Sequence, residues 1–171
     1  AEPRLDLMFH TPGYPNDDLY RLDVLQGIFS GRSGRLYKRL VDEEQLCTDA
    51  GAENSFRLHD GYFHIWAELK NDSDPAKVEK ILKEEIQKVK ANPPSDREML
   101  RIKNEIRMSF VRGLKSLEGL SDRLAWFERL RSWKDLLEYP DKIAAIKRPE
   151  IPAITIKYLD TEKATVGQLL P

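Results

Sequence analysis

His59-Asp60-Gly61-Tyr62-Phe63-His64-Ile65-Trp66-Ala67-Glu68-Leu69 decides the fold. Phe63, Ile65, Ala67 and Leu69 fall on one face and Tyr62, His64, Trp66 and Glu68 on the other, the two-residue period of a half-buried strand. His59-Asp60-Gly61 reads as the turn before it. The preceding stretch, Cys47 to Leu58, is small and polar around Phe56 and suits an edge or twisted strand, so the pair predicts an antiparallel hairpin. Further out, Leu5, Leu7 and Phe9 alternate with Arg4, Asp6 and His10, with Met8 out of phase; Thr11-Pro12-Gly13-Tyr14-Pro15 closes that strand. At the far end, Thr165 to Leu170 is expected to add a last strand.

Helical periodicity fills the rest. Asn16 or Asp17 caps a helix to about Ser30, striped by Leu19, Leu22, Leu25, Ile28 and Phe29. Gly31-Arg32-Ser33-Gly34 then breaks the chain, and Ser33 is the expected N-cap of a second helix running to about Leu46. Asn71-Asp72-Ser73-Asp74-Pro75 opens a third helix, with proline tolerated in its first turn and Val78, Ile81, Leu82, Ile86 and Val89 on its apolar side. Asn92-Pro93-Pro94 ends it, and Ser95-Asp96-Arg97-Glu98 is a capping box for a long helix to about Lys115. Helices follow from about Glu118 to Ser132, from Leu136 to Ile146 with an interruption or bend at Pro140, and from Pro149 to Tyr158 with Pro152 in its first turn. The sum is α+β: an antiparallel sheet covered on one face by several helices, in a single domain over 1–171.

The charged fraction of 33% against 40% hydrophobic residues is an ordinary globular balance, and the net charge of −1 gives no global field to draw in nucleic acid or an anionic membrane. A single cysteine, Cys47, excludes an internal disulfide framework. No run of about 18 apolar residues is present to span a bilayer. Ala1-Glu2-Pro3-Arg4 reads as a cut or processed end rather than a signal peptide.

Catalytic constellations fail on spacing. A nucleophile elbow needs Gly-x-Ser-x-Gly after a strand, but Gly34 follows Ser33 directly and a helix comes before. A P-loop needs Gly-Lys-Ser/Thr at its end. The three histidines, His10, His59 and His64, form no zinc motif, and His64 and Glu68 on one strand face lie about 13 Å apart. Cys47 has no histidine or cationic cluster beside it to make a thiolate. Glu43 and Glu44 diverge by about 100° on a helix and so form a solvated face rather than an acid–base pair. The long helix carries Arg97, Arg101, Lys103, Arg107, Arg112 and Lys115, but no aromatic platform accompanies them, so the expectation is a charged outer surface and not a nucleic-acid binder. Backbone N–H groups at the Gly31–Gly34 turn, flanked by Arg32 and Arg35, suit an anion or a peptide carbonyl.

A strand ending His10-Thr11-Pro12, then a helix, then Gly31-Arg32-Ser33-Gly34-Arg35-Leu36-Tyr37-Lys38-Arg39-Leu40-Val41-Asp42-Glu43-Glu44-Gln45-Leu46 resembles the C-terminal half of a pitrilysin/insulinase-type zinc peptidase. The ending Tyr158-Leu159-Asp160 through Thr165-Val166-Gly167-Gln168-Leu169-Leu170-Pro171 is similar to bacterial members. The resemblance implies half of a metallopeptidase clamshell, with the LuxS and mitochondrial-processing-peptidase type of fold. Zinc, bound by an inverted His-x-x-Glu-His with a distal glutamate, belongs to the N-terminal half or to a partner subunit. This chain lacks that motif, so no cofactor and no catalytic residue are expected on it. Members carry an arginine and a tyrosine seven residues apart that reach the substrate from this half; alignment on Leu40 through Leu46 places those positions at Val41 and Thr48. The resemblance also implies that the Gly31–Gly34 turn stands in shortened form where related processing peptidases handle substrate. The expected substrate-binding residues are therefore Gly31, Arg32, Ser33, Gly34 and Thr48.

The first expectation is a non-catalytic domain that walls a peptide-hydrolysing chamber, with peptide and a His-x-x-Glu-His half as partners. The alternatives are an inactive assembly subunit of the same fold, or a basic-helix nucleic-acid module. Such halves usually have one more strand ahead of Ala1, which suggests a fragment, and the resemblance to exported bacterial members points to the periplasm.

Overall fold

In a computed structural model, residues 3–169 are described. Ala1 and Glu2 of the expected processed end, and Leu170 of the expected closing strand, lie outside them.

The alternating segments become strands β1 (Arg4–Thr11), β2 (Cys47–Asn54), β3 (Gly61–Leu69) and β4 (Thr165–Leu169). They form one antiparallel sheet in the order β2-β3-β1-β4. The central β1–β3 register pairs Leu5 with Ala67, Leu7 with Ile65 and Phe9 with Phe63, so the apolar sets of two strands distant in sequence land on one face. β2 and β3 make the predicted hairpin, with Ala50 opposite Ala67 and Ala52 opposite Ile65.

Seven helices stand among the described residues: α1 (Asp18–Phe29), α2 (Arg35–Tyr37), α3 (Pro75–Ala91), α4 (Asp96–Gly113), α5 (Leu117–Leu130), α6 (Asp135–Ala145) and α7 (Glu150–Tyr158). α1 and α3 bury Leu19, Leu22, Leu25, Ile28 and Phe29, and Val78, Leu82 and Ile86, against Leu5, Leu7, Phe63 and Ile65 in one continuous core. A smaller cluster of Phe110, Phe127 and Leu136 joins α4, α5 and α6 beside it. The starts of α3 and α4 are both capped, but the expected capping box closes on one side only, because both Glu98 carboxylate oxygens are taken by Arg35. The Asp74 carboxylate accepts from the Ala76 N–H ahead of Pro75, and the Ser95 hydroxyl accepts from the Glu98 N–H at 3.1 Å.

Three expectations need correction. Ser33 does not cap the second helix: Gly34 occupies the N-cap, and the Ser33 hydroxyl instead accepts from the Arg101 guanidinium at 2.7 Å. That helix does not reach Leu46. After Tyr37 it widens into a π-helical turn, Lys38–Glu43, in which the Glu44 N–H donates to the Arg39 carbonyl, and Gln45 at φ 55° turns the chain into β2. Pro140 does not divide the sixth helix, because α6 runs through it. A single missing N–H is tolerated where Tyr139 and Ile143, on either side, pack into buried clusters.

Candidate functional site

The Gly31–Gly34 turn is built by backbone requirements. Gly31 sits at φ +77°, in the left-handed region that disfavours side chains. The Gly34 N–H donates to the Gly31 carbonyl at 2.8 Å, and a Cβ on Gly34 would stand 2.3 Å from the Ser30 carbonyl oxygen. The turn is tied down on both sides. Arg35 makes a bidentate pair with Glu98 at 2.9 and 2.8 Å; burial pushes the Glu98 carboxyl up, the pair outweighs it, and the net shift is downward. Ser30, just before the turn, uses its hydroxyl to accept from the Ala52 N–H and donate to the Ala52 carbonyl, stitching α1 to β2. Of the expected substrate-binding residues, Gly31 and Arg32 are exposed and Gly34 is buried. Thr48 lies elsewhere, as the extra residue where the β2–β3 register shifts, its hydroxyl donating to the Glu68 carbonyl at 3.3 Å. No hydrogen bond among the described residues joins Thr48 to the turn. Val41 packs against the main core and offers no charge.

A larger surface stands where no single motif pointed. With the helices on one face, the other face of the sheet carries Arg4, Asp6, Met8, Tyr62, His64, Trp66 and Glu68. Its groups are ordered by mutual contact. The Arg4 guanidinium stacks over Trp66 at 5.2 Å from the ring centre and pairs with Asp6 and Glu68. The same Asp6 oxygen lies 2.6 Å from His64 Nε2, and Tyr62, edge-on to His64, carries Arg57 above its ring. Trp66 lies across Gly51, where a Cβ would stand 3.1 Å from the indole. Met8 and Leu169 continue the face, 37% and 50% exposed. The result is an aromatic and charged platform with apolar ends, uncovered by any described element. Alternation in β1 and β3 already divided these residues from the core in sequence, but nothing local marked them as a joint surface: Asp6 and His64 are 58 residues apart.

The side chains present do not fit a zinc site. Among the described residues no three histidine, cysteine, aspartate or glutamate side chains converge. His64 has Asp6 as its acidic partner and His10 has Asp60 at 3.5 Å. Cys47 is fully buried, and burial pushes its thiol up to about 12. On α4, Arg101 is engaged by Glu105 and Ser33, and Lys103 by the Ala144 and Ile146 carbonyls. Among the described residues no helix is long and apolar enough to cross a membrane.

Residues 1–106 match the family described as the peptidase M16 inactive domain. No curated protein matches the chain. Among solved structures, a protease from Helicobacter pylori is 20% identical, with a TM-score of 0.93 over 99% of this chain and 41% of that one. The inactive peptidase domain of a candidate zinc protease from Bordetella parapertussis is 21% identical, with a TM-score of 0.86, and covers 99% of this chain and 91% of its own. A candidate zinc protease from Bordetella pertussis Tohama I is 20% identical at a TM-score of 0.84, over 100% of this chain and 95% of its own. At these identities the likeness is one of fold, and this chain spans about two fifths of the Helicobacter pylori protease.

Proposed function

The chain belongs to the family of M16 peptidase inactive domains, and from that premise we propose that it walls a peptidase chamber whose zinc and hydrolytic water are held by a separate half. The observation that carries this reading is the uncovered sheet face. A four-stranded sheet buries one face under helices and leaves the other with Trp66, Arg4, His64, Tyr62 and Met8. Stacked and ion-paired side chains of this kind offer π faces, donors and acceptors to an extended polypeptide without demanding one sequence. β2 and β4, the sheet's outer strands, add backbone groups to which such a peptide can align. In the proposed assembly the catalytic half supplies the metal-activated water, and this chain binds and orients peptide. Gly31, Arg32, Ser33 and Thr48 are proposed as further peptide contacts at the β2 side, with the buried Gly34 shaping the turn that presents them.

The test is reconstitution. The chain alone, incubated with a quenched-fluorescent peptide, gives no cleavage, and mixing it with a His-x-x-Glu-His half of the same peptidase family gives cleavage that a chelator abolishes. Cleavage by this chain alone overturns the reading. A second reading, an assembly half without peptidase activity, draws on Val41 and Thr48, which put a core aliphatic and a small hydroxyl where the family resemblance implies an arginine and a tyrosine. It predicts a stable complex that cleaves nothing.

A further inference from the structure

The cleft bounded by α1, the end of β2, α5 and α6 has a volume of about 520 Å³ and is not used by the proposed chamber surface. On its floor the Asp23 carboxylate accepts from the Tyr139 hydroxyl at 2.6 Å and from the Asn54 side-chain N–H at 2.7 Å. Each oxygen thus receives one neutral donor, and Asp23 has no cationic partner among the described residues. The Asn54 Nδ2 also donates to the Leu19 carbonyl, which fixes the orientation of the amide, and its Oδ1 is left buried without a partner in the same wall. Phe56, Trp126, Phe127 and Tyr139 supply aromatic walls. Glu53 and Asp122 stand exposed at the rim without an ion-pair partner among the described residues.

One cation borders the cleft. Arg123 lies over the Phe110 ring at 5.3 Å, and its guanidinium packs so closely on Gly113 that a Cβ there would meet it at 2.4 Å. That seat is the C-terminus of α4, where helix carbonyls favour a positive charge, so Arg123 is drawn to the helix end rather than to Asp23. What remains at the centre is a half-buried carboxylate, spare acceptors, an acidic rim and aromatic faces.

We propose that this cleft binds one cationic head group, an alkylammonium or alkylguanidinium of the kind carried by lysine or arginine side chains. Such a group supplies the charged donor that Asp23 lacks and sets its charge against the aromatic faces. Burial raises the Asp23 carboxyl to about 6 against the partial relief of its two hydrogen bonds, so cation binding favours its ionised form and weakens as pH falls below that value. The charged or titratable groups facing it are Glu53 from β2, Asp122 and Arg123 from α5, Tyr139 from α6 and Glu105 across the adjoining pocket from α4. Past Glu53, Ser55 and Trp126 the cleft opens into a groove of about 690 Å³ that reaches Tyr62 on the uncovered sheet face. A peptide on that face is thereby able to place a basic side chain in the cleft. This delivery rests on the chamber reading; the cation site does not.

Calorimetric titration of the chain with butylguanidinium, butylammonium, butanol and butyrate at about pH 7.5 tests the site. Saturable binding of the two cations, at least about tenfold tighter than butanol or butyrate, is expected, with proton release near pH 6. Asp23→Asn, checked for folding by circular dichroism, should weaken the cations about tenfold, and Arg123→Gln should tighten them by removing a like charge. Equal binding of butanol, preference for butyrate that Arg123→Gln abolishes, or no binding up to tens of millimolar overturns the proposal. A second arm compares an arginine-containing pentapeptide with its norleucine counterpart. Binding of butylguanidinium without discrimination between the peptides retains the cation site and rejects delivery from the sheet face.

Discussion

Asp23 gives the chain a pH dependence of unusual sign. Its carboxyl titrates near 6 when folded and near 3.8 when free, because burial disfavours the charge more than Tyr139 and Asn54 stabilise it. Between those values the folded state holds more protons than the unfolded one, so this group's contribution falls as pH rises through about 4 to 6 and is constant on either side. The full swing is on the order of 2–3 kcal/mol. Asp18, Glu98 and Asp135 act oppositely. Their folded pKa values are depressed, by Lys157 and Tyr158, by Arg35, and by Arg131 respectively, and the stability they give is lost as the medium is acidified. Urea midpoints of the native chain therefore mix both signs, and the difference between it and Asp23→Asn isolates one. That difference should grow steadily from pH 4 to 6.5 in favour of the variant; a pH-independent offset shows that burial of the charge is not what sets it. Tyr14→Phe belongs to the same scale. The Tyr14 hydroxyl donates to Asp135 Oδ2 at 2.7 Å inside the fold, so its removal should cost about 1–2 kcal/mol in urea unfolding.

Among the elements, the turn between α1 and α2 is limited by backbone rather than side chain. Gly34→Ala forces a methyl against the carbonyls of Phe29 and Ser30, which no rotamer relieves, whereas Gly31→Ala meets open space and pays only for its positive φ. The first should lower stability by about 2 kcal/mol or more and the second by about 1 kcal/mol, read as thermal midpoints. These glycines were legible as a break, and period two in β1 and β3 was legible as a sheet face, because each signal lies within a few residues. The helix starts within Asn71–Pro75 and at Ser95 were readable for the same reason, although only the structure picks Asp74 as the cap of the first. The π-helical turn and the course of α6 through Pro140 were not, since tertiary packing sets both. Ser33 failed as a cap because Arg101, 68 residues away, claims its hydroxyl. The Asp23 cleft was invisible in sequence for that reason too: Asn54 is 31 and Tyr139 is 116 residues from the carboxylate they share.

At the scale of the molecule, the two faces of the sheet should respond to mutation in opposite ways. Phe63 is fully buried between the sheet and α1, edge-on to Phe29, and Phe63→Ala should cost about 3–5 kcal/mol and reduce every activity through loss of folded protein. Trp66, three residues along the same strand, projects from the other face with Arg4 above it. Its neighbours are already half in water, so Trp66→Ala should cost no more than about 1 kcal/mol. If the uncovered face binds peptide, the same substitution raises KM of the reconstituted pair several-fold while kcat stays near native, because a lost peptide contact removes ground-state and transition-state binding alike. Arg4→Ala, which leaves the indole in place but strips its cation and releases Asp6 and Glu68, should do the same more weakly. Unchanged KM in both variants, with the partner half present and thermal midpoints near native, assigns peptide binding to other residues and leaves this face a surface for contact between the two halves.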